Sequence, residues 1–263
     1  MWNTIFYHPL LNALIFLYNL LGQNLGWAII GLTLLIRGVL TPLTLPSLKS
    51  GQKMKELQPE INKLKEKYGK DKQVFAKKQL ELFQSHGVNP AAGCLPQIIQ
   101  MVVLIALYQA FNLVLQSDGN LVVNLNKILY APLQLSQGFV LNTNFLYLNL
   151  TQPDLFSIPA LKIASFSLDK LPGIFLILAA AVQFLSSKLM LPAAKTAAVK
   201  AAKTKETTDD LATSMQTQML YLFPLMTLFI GFKFPSGLVL YWLVFSLMML
   251  VQQLLLNHGN KKH

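Results

Sequence analysis

The sequence predicts an all-α, polytopic membrane protein with five transmembrane helices, a cytoplasmic helical hairpin and an outer interfacial amphipathic helix. Of the 263 residues, 53% are apolar and 13% are charged, whereas charged residues make up about a quarter of an ordinary soluble domain. The 22 Lys and Arg residues outnumber the 11 Asp and Glu residues, which gives a net charge of +11. The apolar residues form long stretches and the lysines lie between them, as in a chain that crosses a membrane repeatedly. This composition argues against a water-soluble enzyme.

The apolar stretches define the predicted segments, because a spanning helix needs about 20 such residues. The last stretch is too long for one helix, and Lys233 to Gly237 interrupt it with a Pro-Ser-Gly turn signal. We therefore interpret residues 1–263 as a single membrane domain. Its segments are an interfacial helix (1–24), a span (25–46), a cytoplasmic hairpin (47–90), a span (93–115), an outer loop (117–170), a span (171–191), a cytoplasmic loop (192–214), two spans (215–233 and 236–257) and a tail (258–263).

The distribution of lysine between the loops predicts their sides. Segment 46–92 contains ten lysines and five acidic residues, whereas segment 117–170 contains three of each. Because cytoplasmic loops are enriched in Lys and Arg, the first segment is expected inside and the second outside. Five spans with a cytoplasmic C-terminus then place the N-terminus outside.

Residues 1–24 are apolar but are predicted to lie on the outer surface of the membrane. Pro9 and Gly22 bracket about a dozen residues, too few for a span. Four polar residues fall on one narrow face of this helix: His8, Asn12, Asn19 and Gln23. Such a stripe is typical of an interfacial helix. A sixth span is the alternative.

Arg37 is the most informative residue, since it lies in the middle of the first span and none of the five spans contains Asp or Glu. A charge at that depth costs at least about 2.5 kcal/mol, so the side chain should face a polar interior rather than lipid. Snorkelling to an interface is the alternative. The other polar residues within the spans predict, together with Arg37, a hydrophilic groove. They are Thr33, Gln97, Gln100, Gln183, Tyr241 and Ser246.

Motifs for enzymatic chemistry are missing from the sequence. It has no glycine-rich phosphate loop, no paired carboxylates within the spans and no nucleophile–base arrangement. The four histidines are scattered and Cys94 is the single cysteine, which predicts no metal site. We therefore expect no catalytic residues, cofactor or metal. The basic charge is accounted for by membrane topology, so no nucleic-acid substrate is expected.

Several motifs in combination resemble the signature of YidC-type membrane protein insertases. They are Leu57-Gln58-Pro59-Glu60, His86-Gly87-Val88-Asn89-Pro90, Gly93-Cys94-Leu95-Pro96, Ile99-Gln100-Met101, Ala106-Leu107-Tyr108, Phe234-Pro235-Ser236-Gly237-Leu238-Val239-Leu240-Tyr241-Trp242 and Gln252-Gln253. The similarity covers roughly residues 5–116 and 171–257. Two positions depart from the usual pattern: Val102 stands where a proline is common, and Phe245-Ser246 stands where Ser-Asn is common.

The resemblance implies a location in the bacterial plasma membrane and a groove that carries one positive residue in the first conserved span. Arg37 occupies that position, and Thr33 and Gln100 match groove positions. It implies that the protein inserts membrane proteins and helps them fold, alone or with the Sec translocon. The implied partners are nascent membrane proteins, membrane lipids, the Sec translocon and the ribosome.

Two other functions remain as alternatives. An anion channel or transporter would use Arg37 as a selectivity charge, and it would predict inverted repeats with interrupted helices, which the sequence does not show. A scaffold would tether partners through the lysine-rich hairpin. The insertase function is favoured over both. A substrate span gains about 0.3–0.6 kcal/mol per large apolar residue when it enters lipid, so its insertion needs no ATP. The absence of a nucleotide-binding motif is therefore expected.

Overall fold

The chain is largely helical in a computed structural model that describes residues 1–89, 95–115, 120–163, 166–190 and 210–260. Cys94 and most of the predicted loop 192–214 lie outside these ranges. The helices are α1 (His8–Leu20), α2 (Leu25–Glu56), α3 (Gln58–Tyr68), α4 (Lys72–Ser85), α5 (Leu95–Leu115), α6 (Leu121–Asn126), α7 (Ile174–Met190), α8 (Asp210–Gly231) and α9 (Ser236–Asn260). The strands form two antiparallel pairs, β1 (Asn144–Phe145) with β2 (Leu148–Asn149) and β3 (Leu155–Ile163) with β4 (Phe166–Pro172).

Helix α1 ends where the sequence places a break, but it does not begin at one. A π-helical turn (Asn3–Tyr7) leads directly into it, so the chain is helical from Asn3 to Leu20 and passes through Pro9 without a break. The chain leaves α1 through Gly22, whose φ of +77° suits glycine. Asn24 then caps α2, because its Oδ1 accepts hydrogen bonds from the N–H groups of Gly26 and Trp27 at 3.0 and 3.3 Å.

Helix α2 is longer than the predicted span 25–46. It runs for 32 residues, about 48 Å at the rise of an α-helix, so it continues ten residues beyond that boundary as one helix. Two prolines lie inside it, Pro42 and Pro46. Thr41 lies just before the first proline and Thr44 lies between the two. Their hydroxyls donate to the carbonyls of Arg37 and Leu40, each four residues earlier. These hydroxyls bind carbonyls of their own helix next to the two positions where proline has no N–H to donate.

Helices α3 and α4 form a hairpin in the segment where the sequence predicts one. Asp71 begins α4 by accepting hydrogen bonds from the N–H groups of Gln73 and Val74. The hairpin has its own small core of Leu57, Ile61, Phe83 and Val88, separate from the cores between the long helices. It is therefore built as a distinct unit at the end of α2.

Two of the helices in the described ranges are long and apolar enough to cross a membrane: Leu25–Glu56 and Ser236–Leu256. Three others contain shorter apolar stretches, at Ile98–Leu113, Ile174–Leu189 and Leu220–Gly231. These five coincide with the five predicted spans. Length and composition alone thus identify two spans, and the full set of five remains a prediction.

Helix α9 is the centre of the packing, since it contacts both α7 and α2, and α7 in turn contacts α8. The largest core cluster joins α1, α2, α5 and α9 through buried side chains such as Tyr18, Leu32, Leu107 and Leu240. Gly237 allows α5 to approach α9 closely, because a Cβ atom there would overlap the Phe111 ring. A larger residue at this position would displace that ring.

Residues 142–154, which we call the cap segment, bind the first turns of three helices. The carbonyl of Asn142 accepts a hydrogen bond from the N–H of Leu25 at the start of α2, at 3.1 Å. The carbonyl of Gln152 accepts from Ser236 at the start of α9, at 2.7 Å. The Asp154 carboxylate accepts from the N–H of Leu176 in α7, at 2.9 Å. Helices α2, α7 and α9 therefore begin at the same end of the molecule.

The opposite end of the molecule carries the α3–α4 hairpin. The Lys55 ammonium, near the end of α2, donates a hydrogen bond of 3.0 Å to the carbonyl of Leu189 near the end of α7. The hydroxyl of Ser50 donates to the carbonyl of Asn89, which follows the hairpin. The cap segment and the hairpin thus lie at opposite ends of the long helices.

Asn12 does not face outward with the polar stripe predicted for α1. Its exposed fraction is 2%. Its Nδ2 donates to the carbonyl of Ile128 at 3.1 Å, and its Oδ1 accepts from the N–H of Tyr130 at 2.7 Å. Asn19 and Gln23 are exposed. One residue of the predicted polar stripe thus anchors the segment after α6. Helical spacing did not predict this, because it does not distinguish an exposed polar residue from one with a buried polar contact.

Candidate functional site around Arg37

A small cavity lies between α2, α5 and α9. It has a volume of about 10 Å³, which is room for about one water molecule. Its lining consists of Thr33, Ile36, Arg37, Leu40, Thr44, Ile99, Gln100, Val103, Tyr241 and Phe245. Four of the predicted groove residues thus share this cavity.

Arg37 is buried in the cavity wall, with an exposed fraction of 3%. Its Nη2 donates to Gln252 Oε1 and contacts the Met249 sulfur, both at 2.6 Å. Its guanidinium carbon lies 4.6 Å from the centre of the Phe245 ring, within the range of a cation–π interaction. All three partners lie on α9 and none is charged, so the guanidinium is held by an amide, a thioether and an aromatic face.

Gln100 and Tyr241 form a second polar contact at the same cavity. The Tyr241 hydroxyl donates a hydrogen bond of 3.1 Å to Gln100 Oε1. Both side chains are buried, with exposed fractions of 2% and 5% for Tyr241 and Gln100. This contact connects α5 to α9 across the cavity from Arg37.

Thr33 lines the cavity, but its hydroxyl is directed along its own helix. The Oγ1 atom donates to the carbonyl of Ile29 at 2.6 Å. Among the described contacts, neither Thr33 nor Gln100 forms a hydrogen bond with Arg37. Thr33 and Gln100 line the same cavity as Arg37, whereas the hydrogen-bond partner of Arg37 is Gln252.

Gln183 belongs to a different polar cluster, between α7, α8 and α9. Its Oε1 accepts from Thr227 at 2.5 Å and from the indole N–H of Trp242 at 3.1 Å. Trp242 follows Tyr241 directly and faces the other side of α9. Ser246 is buried on α9 outside the lining of the Arg37 cavity, and the side chain of Gln97 lies outside the described part of the chain.

Three contact residues of Arg37 were absent from the predicted site: Phe245, Met249 and Gln252. A signal for them exists in the sequence, because these residues follow Tyr241 at intervals of four, four and three. That spacing places them on one face of a helix. The signal identifies a face, but it does not indicate that this face packs against the part of α2 that carries Arg37.

Residues 16–263 match the 60Kd inner membrane protein family. The chain belongs to this family, which is that of the YidC membrane protein insertases. A membrane protein insertase YidC of Fusobacterium nucleatum is 34% identical over 251 residues, which cover 94% of each chain. The membrane protein insertase MisCA of Bacillus subtilis is 32% identical over 260 residues, covering 97% of this chain and 79% of the relative. The resemblance drawn from the motifs is confirmed.

A solved structure of an active YidC insertase, with its first transmembrane domain resolved, has a similar fold. The TM-score is 0.51 at 24% sequence identity, and the match covers 94% of this chain and 46% of that one. This chain and that structure thus share a fold. Relatives in this family are named as insertases rather than as catalysts of a chemical reaction.

Proposed function

We propose that this protein is a membrane protein insertase and chaperone of the bacterial plasma membrane, which inserts integral membrane proteins through a hydrophilic intramembrane groove. Its relatives over nearly the whole chain are named as insertases. The observation that carries the proposal is Arg37, a buried cation in an apolar helix whose contacts are all uncharged. An arginine kept in this setting at a cost of several kcal/mol is a functional residue by default.

The groove lowers the barrier to insertion rather than supplying energy. A substrate span gains free energy when it enters lipid, so the final state is downhill. The barrier is the passage of its polar flank, because polar groups without partners are costly in hydrocarbon. The cavity between α2, α5 and α9 is the resting form of the groove in this proposal. An acidic flank would be attracted to Arg37 more strongly there than at a solvent-exposed site, since the medium screens charges less.

The proposed topology has five spans, an outer N-terminus and a cytoplasmic C-terminus. The opposite placement of the cap segment and the α3–α4 hairpin supports it. The cap segment lies outside and the lysine-rich hairpin lies in the cytoplasm, where it receives nascent membrane proteins. The Sec translocon and the ribosome are the further partners in this proposal.

The test compares two reporter proteins that differ in one translocated flank, acidic in one and neutral in the other. Purified protein in liposomes should insert both. Arg37→Ala should slow the acidic reporter about tenfold, which corresponds to the loss of about 1.4 kcal/mol of a charged hydrogen bond. The neutral reporter should change least. Arg37→Lys should retain substantial activity because it keeps the charge, although it loses the planar fork.

A purely structural role for Arg37 gives a different result. In that case Arg37→Ala would lower thermal stability and would impair both reporters equally at matched amounts of folded protein. Equal loss would reject the electrostatic mechanism and leave the insertase function standing. Anion flux through the liposomes, with no insertion of either reporter, would favour the channel alternative.

A further inference from the structure

Two buried hydrogen-bond donors at the Arg37 cavity have no acceptor in the described part of the chain. They are Nε of Arg37 and Nε2 of Gln100, and neither has a partner among the residues that the structure describes. Both side chains line the same cavity and both are more than nine-tenths buried. A buried donor without a partner costs about 1–3 kcal/mol, so a pair of them at one cavity calls for a ligand.

Tyr241 determines which end of the Gln100 amide remains available. A glutamine side chain offers an oxygen that accepts and a nitrogen that donates. The Tyr241 hydroxyl donates to the oxygen, which leaves the nitrogen. In the same way, Gln252 and Met249 hold Nη2 of Arg37 on α9 and leave Nε. The groups left over by these contacts are therefore donors.

The rest of the cavity lining does not provide the missing acceptor. The hydroxyls of Thr33 and Thr44 donate to helix carbonyls of α2, at 2.6 and 3.0 Å, and their oxygens form no hydrogen bond with Arg37 Nε or Gln100 Nε2. Most of the other lining side chains are apolar: Ile36, Leu40, Ile99, Val103 and Phe245. The volume of about 10 Å³ fits a single oxygen-sized group. The cavity is thus suited to one acceptor oxygen, donated to from two sides.

We infer that this cavity is a subsite for one carbonyl oxygen of the substrate's polypeptide backbone, with Tyr241 as a positioning residue that aims the Gln100 amide. The inference rests on the proposed insertase function. The extended polar flank of a substrate carries unpaired backbone carbonyls. Burying these carbonyls in hydrocarbon is costly whatever side chains the flank has. Two fixed donors offset part of that cost for any sequence. Arg37 favours acidic flanks through its charge, whereas Gln100 acts on every flank.

The experiment uses the same two reporters with the full-length protein in liposomes. Gln100→Met removes the donor at nearly constant volume, and it should slow acidic and neutral reporters to the same degree. The expected factor is about two- to tenfold, the range for one neutral hydrogen bond. The matched control is Gln109→Met on the same helix, because Gln109 Oε1 accepts from the indole of Trp2 at 2.8 Å, away from the cavity. This control should insert both reporters at the normal rate.

A double-mutant cycle distinguishes positioning from a merely structural role of Tyr241. Tyr241→Phe frees the Gln100 amide to turn, so it should slow insertion in the wild-type background. It should have no further effect in the Gln100→Met background, where there is no amide to aim. A merely structural role would instead lower the thermal stability of Tyr241→Phe in the wild-type background and leave insertion normal at matched amounts of folded protein.

Liposomes of ether-linked lipids distinguish the source of the carbonyl oxygen, because these lipids lack the ester carbonyl. A Gln100→Met defect that is equal in ester and ether lipids supports a substrate carbonyl. A defect that disappears in ether lipids would assign the oxygen to lipid and overturn the inference, as would normal insertion by Gln100→Met. If the wild-type protein inserts neither reporter, the proposed function itself fails, which is a separate outcome.

Discussion

At the scale of single residues, Arg37 shows how a buried cation is held without an acid. Gln252 accepts its hydrogen bond, and in turn Gln252 Nε2 donates to Thr41 Oγ1 at 2.7 Å. Thr41 donates to the Arg37 carbonyl, so the chain of hydrogen bonds returns to α2. Phe245 covers the guanidinium with its ring, 4.6 Å from the guanidinium carbon to the ring centre. The aromatic face thus stabilises the buried cation through a cation–π contact.

The pairing of Arg37 with Gln252 makes a prediction about stability. Gln252→Leu should lower the free energy of unfolding by about 1–3 kcal/mol, because it leaves a buried guanidinium with one acceptor fewer. Arg37→Leu combined with Gln252→Leu should recover much of that loss, since both partners are then apolar. Thermal unfolding in detergent of the wild type, Arg37→Leu, Gln252→Leu and the double variant measures these losses of stability. Simple additivity of the two single effects would show that the pair does not interact.

At the scale of elements, the cap segment is the part of the predicted outer loop 117–170 that organises the helices. Asp154 is 2% exposed, and its two carboxylate oxygens accept from the Tyr147 hydroxyl and the Leu176 N–H, each at 2.9 Å. Gly173 is required beside it, because a Cβ atom there would overlap the carboxylate. A carboxylate at a helix N-terminus satisfies a free N–H and interacts favourably with the helix dipole.

Asp154→Ala should therefore lower the free energy of unfolding by about 1–2 kcal/mol, the usual effect of losing a cap. Asp154→Asn keeps an acceptor and should cost less. Asp169→Ala is the matched control, since Asp169 is an exposed acid in the same outer segment. Thermal unfolding measures all three. Equal losses for Asp154→Ala and Asp169→Ala would contradict the capping role.

The Tyr147 contact adds a pH dependence to the cap segment. Burial, followed by the hydrogen bond to Asp154, raises the pKa of Tyr147 above its ordinary value of 10.0. A raised pKa means that the folded state favours the neutral phenol, so its stabilising effect is present below pH 10 and is lost as the pH rises through the folded-state pKa. Wild-type protein should thus lose stability above pH 10 more steeply than Tyr147→Phe. Parallel pH profiles of the two proteins would be the contrary result.

The α3–α4 hairpin gives a second prediction for an element. Its core of Leu57, Ile61, Phe83 and Val88 is separate, so a short Gly-Ser linker in place of residues 58–85 should leave the long helices folded. The linker variant keeps Lys55 and its contact with Leu189. It should insert substrates more slowly at unchanged thermal stability. Normal insertion would reject the receiving role of the hairpin.

A charge control shows whether the hairpin acts through its lysines or through its shape. Lys63 and Lys70 are exposed, and their replacement by Gln keeps both helices. If charge attracts the substrate or the membrane surface, this variant should be slowed more at low salt than at high salt, because salt screens exposed charges. If shape is responsible, the variant should insert like the wild type.

At the scale of the whole molecule, the polarity of the bundle predicts its orientation in the membrane. In a Cys94→Ser background, a cysteine at Val140 should react with a membrane-impermeant reagent in intact cells, because Val140 is 82% exposed beside the cap segment. A cysteine at Glu60, in α3, should react only after the membrane is opened. Labelling of position 60 in sealed cells would overturn the proposed topology.

Features that depend on neighbouring residues can be predicted from the sequence. Turn signals at Gly22 and at Lys233–Gly237 coincide with the observed ends of α1 and α8. Arg37 was identified as a buried cation for the same reason, since its apolar neighbours along the chain already imply its surroundings. The family followed from short motifs, which are also local.

The tertiary structure alone decided which of these features meet. Gln252 is 215 residues from Arg37 along the chain, and nothing in the spacing within either helix states that their faces pack together. For the same reason, Gln183 shares a cluster with Thr227 and Trp242 instead of the Arg37 cavity, and Asn12 is buried by a segment that was predicted as a loop. Helical periodicity fixes a residue's face, whereas its partner depends on how the helices pack.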